Sequence, residues 1–519
     1  MKVNQLMSIP DLAVITALTT ISLTIGSCQH KVSKPDKPNI LFLFADDQRA
    51  DALGCSGNPY IKTPNIDKLA EQGVRFTNSY VMGGHHGAIC APSRAMLMSG
   101  KSLFNLYARF DMRRWVDDKV LNGVTTMPMY FAKYGYETFG TGKWHNGAAS
   151  FEATFKHGKN VFIGGMGDHY NVPCQDLMAN GKLSEPIKKG FSTDLFAGAA
   201  MDFINEYAEG KKESPFFCYV AFTAPHDPRS PREDYIGKYP AETIPVPGNF
   251  KKYHPFNFDN MQIRDENLIA WPRTPEMVQA SIADYYALIS HLDDKVGEII
   301  EMLKKKGLYD NTIIVYAADN GLAIGSHGLI GKQDLYEHSI KVPLIISGTG
   351  IPKEKVSDAL VYLYDLFPTL CDLSGLPVQN GIDGKSIAPV VMGESEGVRG
   401  SLFTVYRNTV RAVRDKKWKL IRYPERDYTQ LFNLEEDPLE INNLAGKETS
   451  QSKVEELTGI LKGWQATTND TIALTAVKIL PMEYDPLKFE RRPDPHQPEY
   501  TLKKYFEGVD TSIKDLVDK

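Results

Sequence analysis

Asn39-Ile40-Leu41-Phe42-Leu43-Phe44-Ala45-Asp46-Asp47 decides the fold class: an apolar run with no internal alternation ends abruptly in two adjacent carboxylates. A strand with one wet face alternates apolar and polar residues, whereas a strand covered on both faces reads as an unbroken apolar run. The stretch therefore predicts a central strand of an α/β sheet with helices on both sides. Three more segments repeat the pattern. Residues 136–140 lead into Gly142-Lys143-Trp144-His145, residues 215–222 into Ala224-Pro225-His226-Asp227-Pro228, and residues 312–317 into Ala318-Asp319-Asn320-Gly321. In open α/β sheets the carboxyl ends of parallel strands line the crevice where ligands bind. Asp46, Asp47, Lys143, His145, His226, Asp319 and Asn320 are thus expected to meet although they are far apart in sequence. Two neighbouring carboxylates repel each other, so Asp46 and Asp47 are better placed beside a cation than alone.

Helices are expected over residues 65–73, 127–134 and 274–307. The last opens with Thr274-Pro275-Glu276 and stops at Gly307. A further strand falls at residues 342–346, and Asp365-Leu366-Phe367-Pro368-Thr369 opens another helix. After a loop-rich stretch a boundary is expected near residue 395. Beyond it, residues 402–406, 409–414, 418–423 and 429–433 read as short strands of a small antiparallel sheet. Residues 454–465 follow as a helix, and residues 481–500 as a Pro-rich, charged tail wrapping the surface. The organisation expected is an export segment (1–28), a tether (29–38), a catalytic domain (39–395) and a C-terminal subdomain with its tail (396–519).

The length of 519 residues exceeds that of one ordinary core, which suits a large α/β domain with a smaller companion. A hydrophobic content of 42%, a charged content of 24% and a net charge of -5 describe a globular protein and give no basis for coating nucleic acid. Local Lys, Arg and His must supply any affinity for an anion. Met1-Lys2 and the apolar run 12–25, followed by Gly26-Ser27-Cys28, read as an export signal that is short for a transmembrane helix. Ile25-Gly26-Ser27-Cys28 resembles a bacterial lipobox, which implies lipidation at Cys28 and residence in the periplasm or at the outer membrane, with membrane contact only through that anchor. Cys55, Cys174, Cys218 and Cys371 form no metal-binding spacing, and no disulfide framework is expected.

The chemistry centres on Ile89-Cys90-Ala91-Pro92-Ser93-Arg94-Ala95-Met96-Leu97-Met98-Ser99-Gly100-Lys101. The spacing predicts a thiol just before a proline-started helix that Gly100 closes. The N–H groups of such a helix start, with the guanidinium of Arg94, suit a tetrahedral anion. Cys-x-Pro-Ser-Arg followed by Leu97 and Ser99-Gly100-Lys101 resembles the signature of type I sulfatases, and the similarity extends from residue 39 to about residue 444. It departs mildly at Met98, Ser99 and Lys101, outside the five-residue core.

The resemblance implies an alkaline-phosphatase-like architecture: a large mixed sheet flanked by helices, and a smaller C-terminal antiparallel sheet with a helix. It implies that a maturation enzyme converts Cys90 to Cα-formylglycine, whose hydrated aldehyde is the nucleophile. It also implies that Asp46, Asp47, Asp319 and Asn320 bind one Ca²⁺ together with the modified Cys90. Arg94 and His145 would support the hydrated aldehyde, Lys143 and Lys332 would neutralise sulfate oxygens, and His226 would protonate the leaving oxygen. The expected activity is hydrolysis of sulfate esters on glycans. A phosphonate monoester or phosphodiester hydrolase is the alternative on the same signature, and a noncatalytic glycan-binding lipoprotein the alternative of another class. His85, His86, Asp168, His169, Arg229, Trp271 and Arg407 are weaker candidates for contact with the sugar.

Overall fold

A computed structural model describes residues 37–111, 115–210, 213–489 and 493–506. The expected export segment, Cys28 and nearly all of the tether lie outside the described residues. Strand β1 (Asn39–Ala45) is the apolar run, and all seven of its residues are buried. In chain order follow β2 (Gly73–Phe76), β3 (Gly83–Gly84), β4 (Glu137–Lys143), β5 (His157–Phe162), β6 (Phe216–Ala221), β7 (Thr312–Ala318), β8 (Leu344–Gly348) and β9 (Lys355–Ser357). Among the described residues the large sheet has eight strands in the order β9-β2-β8-β7-β1-β6-β4-β5. β1 lies parallel to both β6 and β7, whereas β8 runs antiparallel to β7 and β2, so the sheet is mixed.

The register aligns the strand ends. Ala45 is opposite Ala318, Phe44 opposite Ala221, and Gly142 opposite Ala221 on the far side of β6. Four polar loops therefore leave the same edge at one level. The pairing of β4 with β5 shifts register between Gly140 and Gly142. Gly142 has φ +85°, and a Cβ there would lie 1.8 Å from the carbonyl oxygen of Ala221, so only glycine lets the chain turn Lys143 toward β1.

The long helix Pro275–Lys305 starts as its sequence foretells: Thr274 Oγ1 accepts from the Met277 N–H at 3.3 Å, and Pro275 occupies the first turn. It packs against Ser192–Glu209 and Pro64–Glu71, while Cys90–Ser99 packs against Met127–Lys133 and Leu366–Leu373. Helix Ser192–Glu209 was not expected from the sequence, although Phe196, Ala200, Phe203, Ile204 and Tyr207 give it a buried stripe.

The small sheet comprises β10 (Leu402–Tyr406), β11 (Val410–Arg414), β12 (Trp418–Tyr423) and β13 (Tyr428–Asn433), all antiparallel, with helix Gln451–Thr468 against it. Its remaining edge is β3, which runs parallel to β10 just before the Cys90 segment. Gly83 has φ +97°, and a Cβ would lie 1.9 Å from the Val405 carbonyl oxygen, so the glycine pair permits this junction. The small sheet thus supports the segment that carries Cys90. Among the described residues, Cys55, Cys90, Cys174, Cys218 and Cys371 are free thiols, and no helix is long and apolar enough to cross a membrane.

Candidate active site

Helix Cys90–Ser99 is buried along its whole length, and Gly100, at φ +67°, closes it by donating to the Met96 carbonyl at 2.9 Å. The helix starts two residues before the proline with which the sequence reading begins it. Cys90 is its first residue rather than the residue before it, and Pro92 sits third, still within the turn whose N–H groups have no intrahelical acceptor. Cys90, Ser93 and Arg94 share one helical face by their i, i+3, i+4 spacing. Ser93 Oγ donates to the Asp319 carbonyl at 2.7 Å, and Arg94 Nε donates to Asp319 Oδ2 at 2.8 Å. Arg94 Nη1 donates to the Lys143 carbonyl at 2.8 Å, tying the helix to the ends of β7 and β4.

Around Cys90 the four loops converge. Its Sγ lies 3.4 Å from Asp46 Oδ1, 3.5 Å from Asp47 Oδ1 and 2.9 Å from Lys332 Nζ. Lys143 Nζ meets Asp46 Oδ2 at 2.5 Å, and Lys332 Nζ meets Asp47 Oδ2 at 2.5 Å. The Asp47 N–H donates to Asp319 Oδ1 at 3.0 Å, and His226 Nε2 stands 3.5 Å from Asp47 Oδ2. Asp47 and His145 both adopt left-handed backbone, at φ 63° and 61°, which costs free energy and is characteristic of sites that must aim a side chain.

Three buried carboxylates and a thiol face Arg94, Lys143 and Lys332. Burial, followed by the charge of Asp319, pushes the Asp46 carboxyl up to about 8. Burial also raises Asp47 to about 6, against the pull of Lys332. Asp319 is buried too, but Arg94, then Lys143 and Lys332, hold it well below the usual carboxylate range. The Cys90 thiol is pushed well up by burial and by Asp319 and Asp47. A thiolate is therefore strongly disfavoured, and Cys90 as a bare thiol is a poor nucleophile here.

The donor set fits a hard cation. Asp46 and Asp47 form, with Cys90 and His226, one group of ligand atoms within 4.8 Å of one another, and Asp319 reaches it through the Asp47 N–H. The raised carboxyls of Asp46 and Asp47 are groups that a divalent ion would return to the ionised form. Asn320 follows Asp319 directly and is buried at 1% exposure; its Nδ2, a donor, has no protein partner, and its Oδ1 is the atom that would serve a cation.

His145 lies beside the cluster. Burial, then Lys143, Arg94 and Lys332, depress its imidazolium, and its Nδ1 has no protein partner. A Cβ on Gly165 would fall 2.4 Å from its Nε2, so the glycine makes room for the ring. Burial, then Lys332 and Lys143, likewise depress His226, while Asp227 opposes them. The His226 Nδ1 lies 2.8 Å from the Asp227 carbonyl and 3.3 Å from its Oδ1, which leaves Nε2 toward the cluster.

The weaker candidates divide. His169 is fully buried, its Nδ1 3.1 Å from both Ser192 Oγ and Thr223 Oγ1 and its Nε2 3.0 Å from the His226 carbonyl, so it supports the His226 loop. Asp168 accepts from the Tyr170 N–H and from Asn171 in its own turn. Trp271 is buried under the Arg273 guanidinium, 3.6 Å from its ring centroid. Arg229 is buried, with Nη1 donating to Ser281 at 2.9 Å. Arg407 projects beside Gly87, and its N–H donates to the Gly84 carbonyl at 2.8 Å. His86 Nε2 meets the buried Asp117 at 2.5 Å, and the His85 ring stands against His86 and Tyr107.

Three participants escaped the sequence reading. The half-exposed Trp115 has its ring 4.6 Å from His86 and 6.1 Å from His145, making an aromatic wall beside the site. Asp227 and Arg264 form an ion pair behind His226. Asp227 was visible as the neighbour of a candidate acid; Trp115 and Arg264 carried no motif.

The sulfatase family profile matches residues 38–376, well over half the chain, and the profile of the N-sulphoglucosamine sulphohydrolase C-terminal region matches residues 325–467. The chain is 28% identical to an N-acetylglucosamine-6-O-sulfatase of Bacteroides thetaiotaomicron over 87% of its own length and 91% of that protein. Among solved structures, one described in complex with its substrate D-glucosamine-2-N,6-O-disulfate superposes with a TM-score of 0.69 at 24% identity, over 84% of this chain and 99% of that one. The phosphonate monoester hydrolase of Agrobacterium radiobacter superposes at 0.66 and 23% identity, over 83% and 96%. Both similarities, at that identity, concern the fold. With the profile spanning the strands, the helix and the loops that assemble around Cys90, the chain belongs to the sulfatase family of the alkaline-phosphatase-like fold and is a sulfuric ester hydrolase.

Proposed function

We propose that the enzyme removes O-sulfate from glycans, with 6-O-sulfated N-acetylglucosamine as the first substrate to test, and that it works through formylglycine at Cys90 and one Ca²⁺. The observation that carries the reading is the convergence of Cys90, Lys143, Lys332 and His226 on one buried carboxylate group. The choice of sugar is supported by the relative that acts on N-acetylglucosamine-6-O-sulfate and by the Trp115 ring, which offers a flat apolar face beside the site.

Asp46, Asp47, Asp319 and Asn320 would hold the Ca²⁺, which when bound supplies Lewis-acid polarisation of sulfuryl oxygens. Formylglycine supplies an oxygen nucleophile at a position where burial, Asp319 and Asp47 disfavour the thiolate. The chain's own residues do the rest. Lys332 and Lys143 are held beside Cys90 by Asp47 and Asp46, which places two cations where charge develops on sulfate. Arg94, locked by Asp319 and the Lys143 carbonyl, and His145 orient the modified side chain. As the S–O bond breaks, His226 gives a proton from Nε2 to the departing sugar oxygen, because an alkoxide leaves poorly. Burial disfavours the imidazolium in the free enzyme, while Asp227 and an arriving sulfate anion favour it.

The test is release of inorganic sulfate from a panel of sulfated saccharides beside matched phosphonate and phosphodiester compounds, using matured enzyme. Sulfate release with a preference for N-acetylglucosamine-6-sulfate is expected. Turnover of phosphonates alone would establish the alternative hydrolase, and no turnover of any ester the noncatalytic reading. We also propose export and anchoring through Cys28, supported by Ile25-Gly26-Ser27-Cys28 after the apolar run. Fatty-acid labelling that Cys28→Ala abolishes is the expected result, and labelling that persists in that variant contradicts it.

A further inference from the structure

Behind His226 the C-terminal segment closes a hydrogen-bond network that the proposed chemistry leaves unused. Asp227 receives both ends of the Arg264 guanidinium, Nη1 reaching Oδ1 at 2.9 Å. Gln497 Nε2 donates to Asp227 Oδ2 at 2.9 Å. Arg264 also donates from Nε to Asp494 Oδ2 at 2.9 Å, with Nη2 2.7 Å from the same oxygen. The side chains of Asp227 and Asp494 are 5% and 2% exposed, whereas Arg264 is 33% exposed. Asp265 Oδ1 also accepts from Arg264 Nη1 at 3.1 Å, so three carboxylates share one cation that is itself partly open to solvent.

The segment that supplies Asp494 and Gln497 is fixed on both sides. Upstream, the Asn257 N–H donates to the Met482 carbonyl at 2.8 Å. Downstream, helix Glu499–Phe506 buries Tyr505 and Phe506 against Leu268, Ile269, Ala270 and Ile330, and Tyr505 donates to Asp284 at 2.6 Å. A segment that served only to cover apolar surface would need the helix and not the two polar residues aimed at Asp227 and Arg264.

We infer that Asp494 and Gln497 are positioning residues for the proton donor: with Arg264 they fix the Asp227 carboxylate 3.3 Å from His226 Nδ1, beside the Asp227 main-chain carbonyl that accepts from it, and so keep Nε2 toward the scissile oxygen. This rests on His226 acting as the acid. Without them Arg264 keeps only Asp227 and Asp265, the Asp227 carboxylate loses its Gln497 donor, and the charge beside His226 Nδ1 no longer has a fixed place. The cost falls on one step only, proton delivery to a poor leaving group.

The experiment compares N-acetylglucosamine-6-sulfate, whose alkoxide needs the proton, with 4-nitrophenyl sulfate, whose phenolate does not. For Asp494→Ala/Gln497→Ala, kcat on the sugar sulfate is expected to fall about 10- to 100-fold with KM within about twofold, while the aryl sulfate loses less than about threefold. Asp494→Glu should recover part of the sugar-sulfate rate. His226→Ala, measured in parallel, gives the full separation between the substrates. If it separates them and the double variant loses both equally, or neither, the positioning role is overturned. If His226→Ala itself fails to separate them, the acid assignment falls first. Should the double variant not fold, Gln497→Ala removes the donor to Asp227 and Asp494 and is read in the same way, with a separation of about threefold expected and equal loss overturning the role.

Discussion

Cys90→Ala is expected to abolish turnover, by about 10⁶-fold in kcat if Cys90 carries the nucleophile, while leaving the fold intact. The first helical position accepts alanine without a propensity cost, and the exchange removes one buried sulfur with no charge. Lys332 loses a contact at 2.9 Å but keeps both oxygens of Asp47. Circular dichroism and thermal unfolding close to those of the parent, together with absence of sulfate release, are the expected pair of results. Full activity in this variant would remove the proposed mechanism. Because burial and two carboxylates hold the thiol in its neutral form, a protein that reaches the assay with Cys90 unmodified should be as inactive as the alanine variant.

Asp319→Ala is expected to lose bound Ca²⁺ and activity together, by at least about 10³-fold in kcat, as fits a lost Lewis acid worth several kcal/mol. The same substitution strips the acceptor from Arg94 Nε and from the Asp47 N–H. Arg94 is 1% exposed and keeps only Asp46, at 3.7 Å, and the Lys143 carbonyl, so stability should fall as well, by up to about 3 kcal/mol. Asp319→Asn keeps the shape and part of the hydrogen bonding, and separates the two effects. Metal analysis of the Asn variant should show the ion lost or weakened in a protein that still unfolds cooperatively. Unchanged metal content in both variants would reject Asp319 as a ligand.

Much of this architecture is legible before any coordinates. β1, β6 and β7 are continuous apolar runs because neighbouring strands and helices cover both faces, and their polar ends coincide because parallel strands in register finish at one level. Asp46, Asp47, Lys143, His226 and Asp319 follow from that rule alone, and Cys90, Arg94 and Lys332 from the motif and the resemblance. Helix Ser192–Glu209 is faint in the sequence because Gly198 and the alanines dilute a periodic signal that bulkier residues carry elsewhere. The exact start of helix Cys90–Ser99 is set by tertiary contacts: Ser93 and Arg94 bind Asp319, and proline is tolerated anywhere in the first turn.

What the sequence conceals is pairing between distant loops. Nothing near Arg264 signals that it shares Asp227 with a segment more than two hundred residues later, and nothing near Gly83 signals an edge strand for β10. The weaker candidates illustrate the same point. His169 lies beside the site in space yet spends both ring nitrogens on the loop that holds His226, while the unremarked Trp115 faces His86 and His145.

The most direct test of the account is the mass of the peptide carrying Cys90, taken from enzyme made in a host that supplies the maturation activity and shown to release sulfate. The account predicts an aldehyde in place of the thiol at Cys90, in a fraction that scales with specific activity across preparations. An active preparation whose Cys90 peptide carries only the unmodified thiol would contradict it.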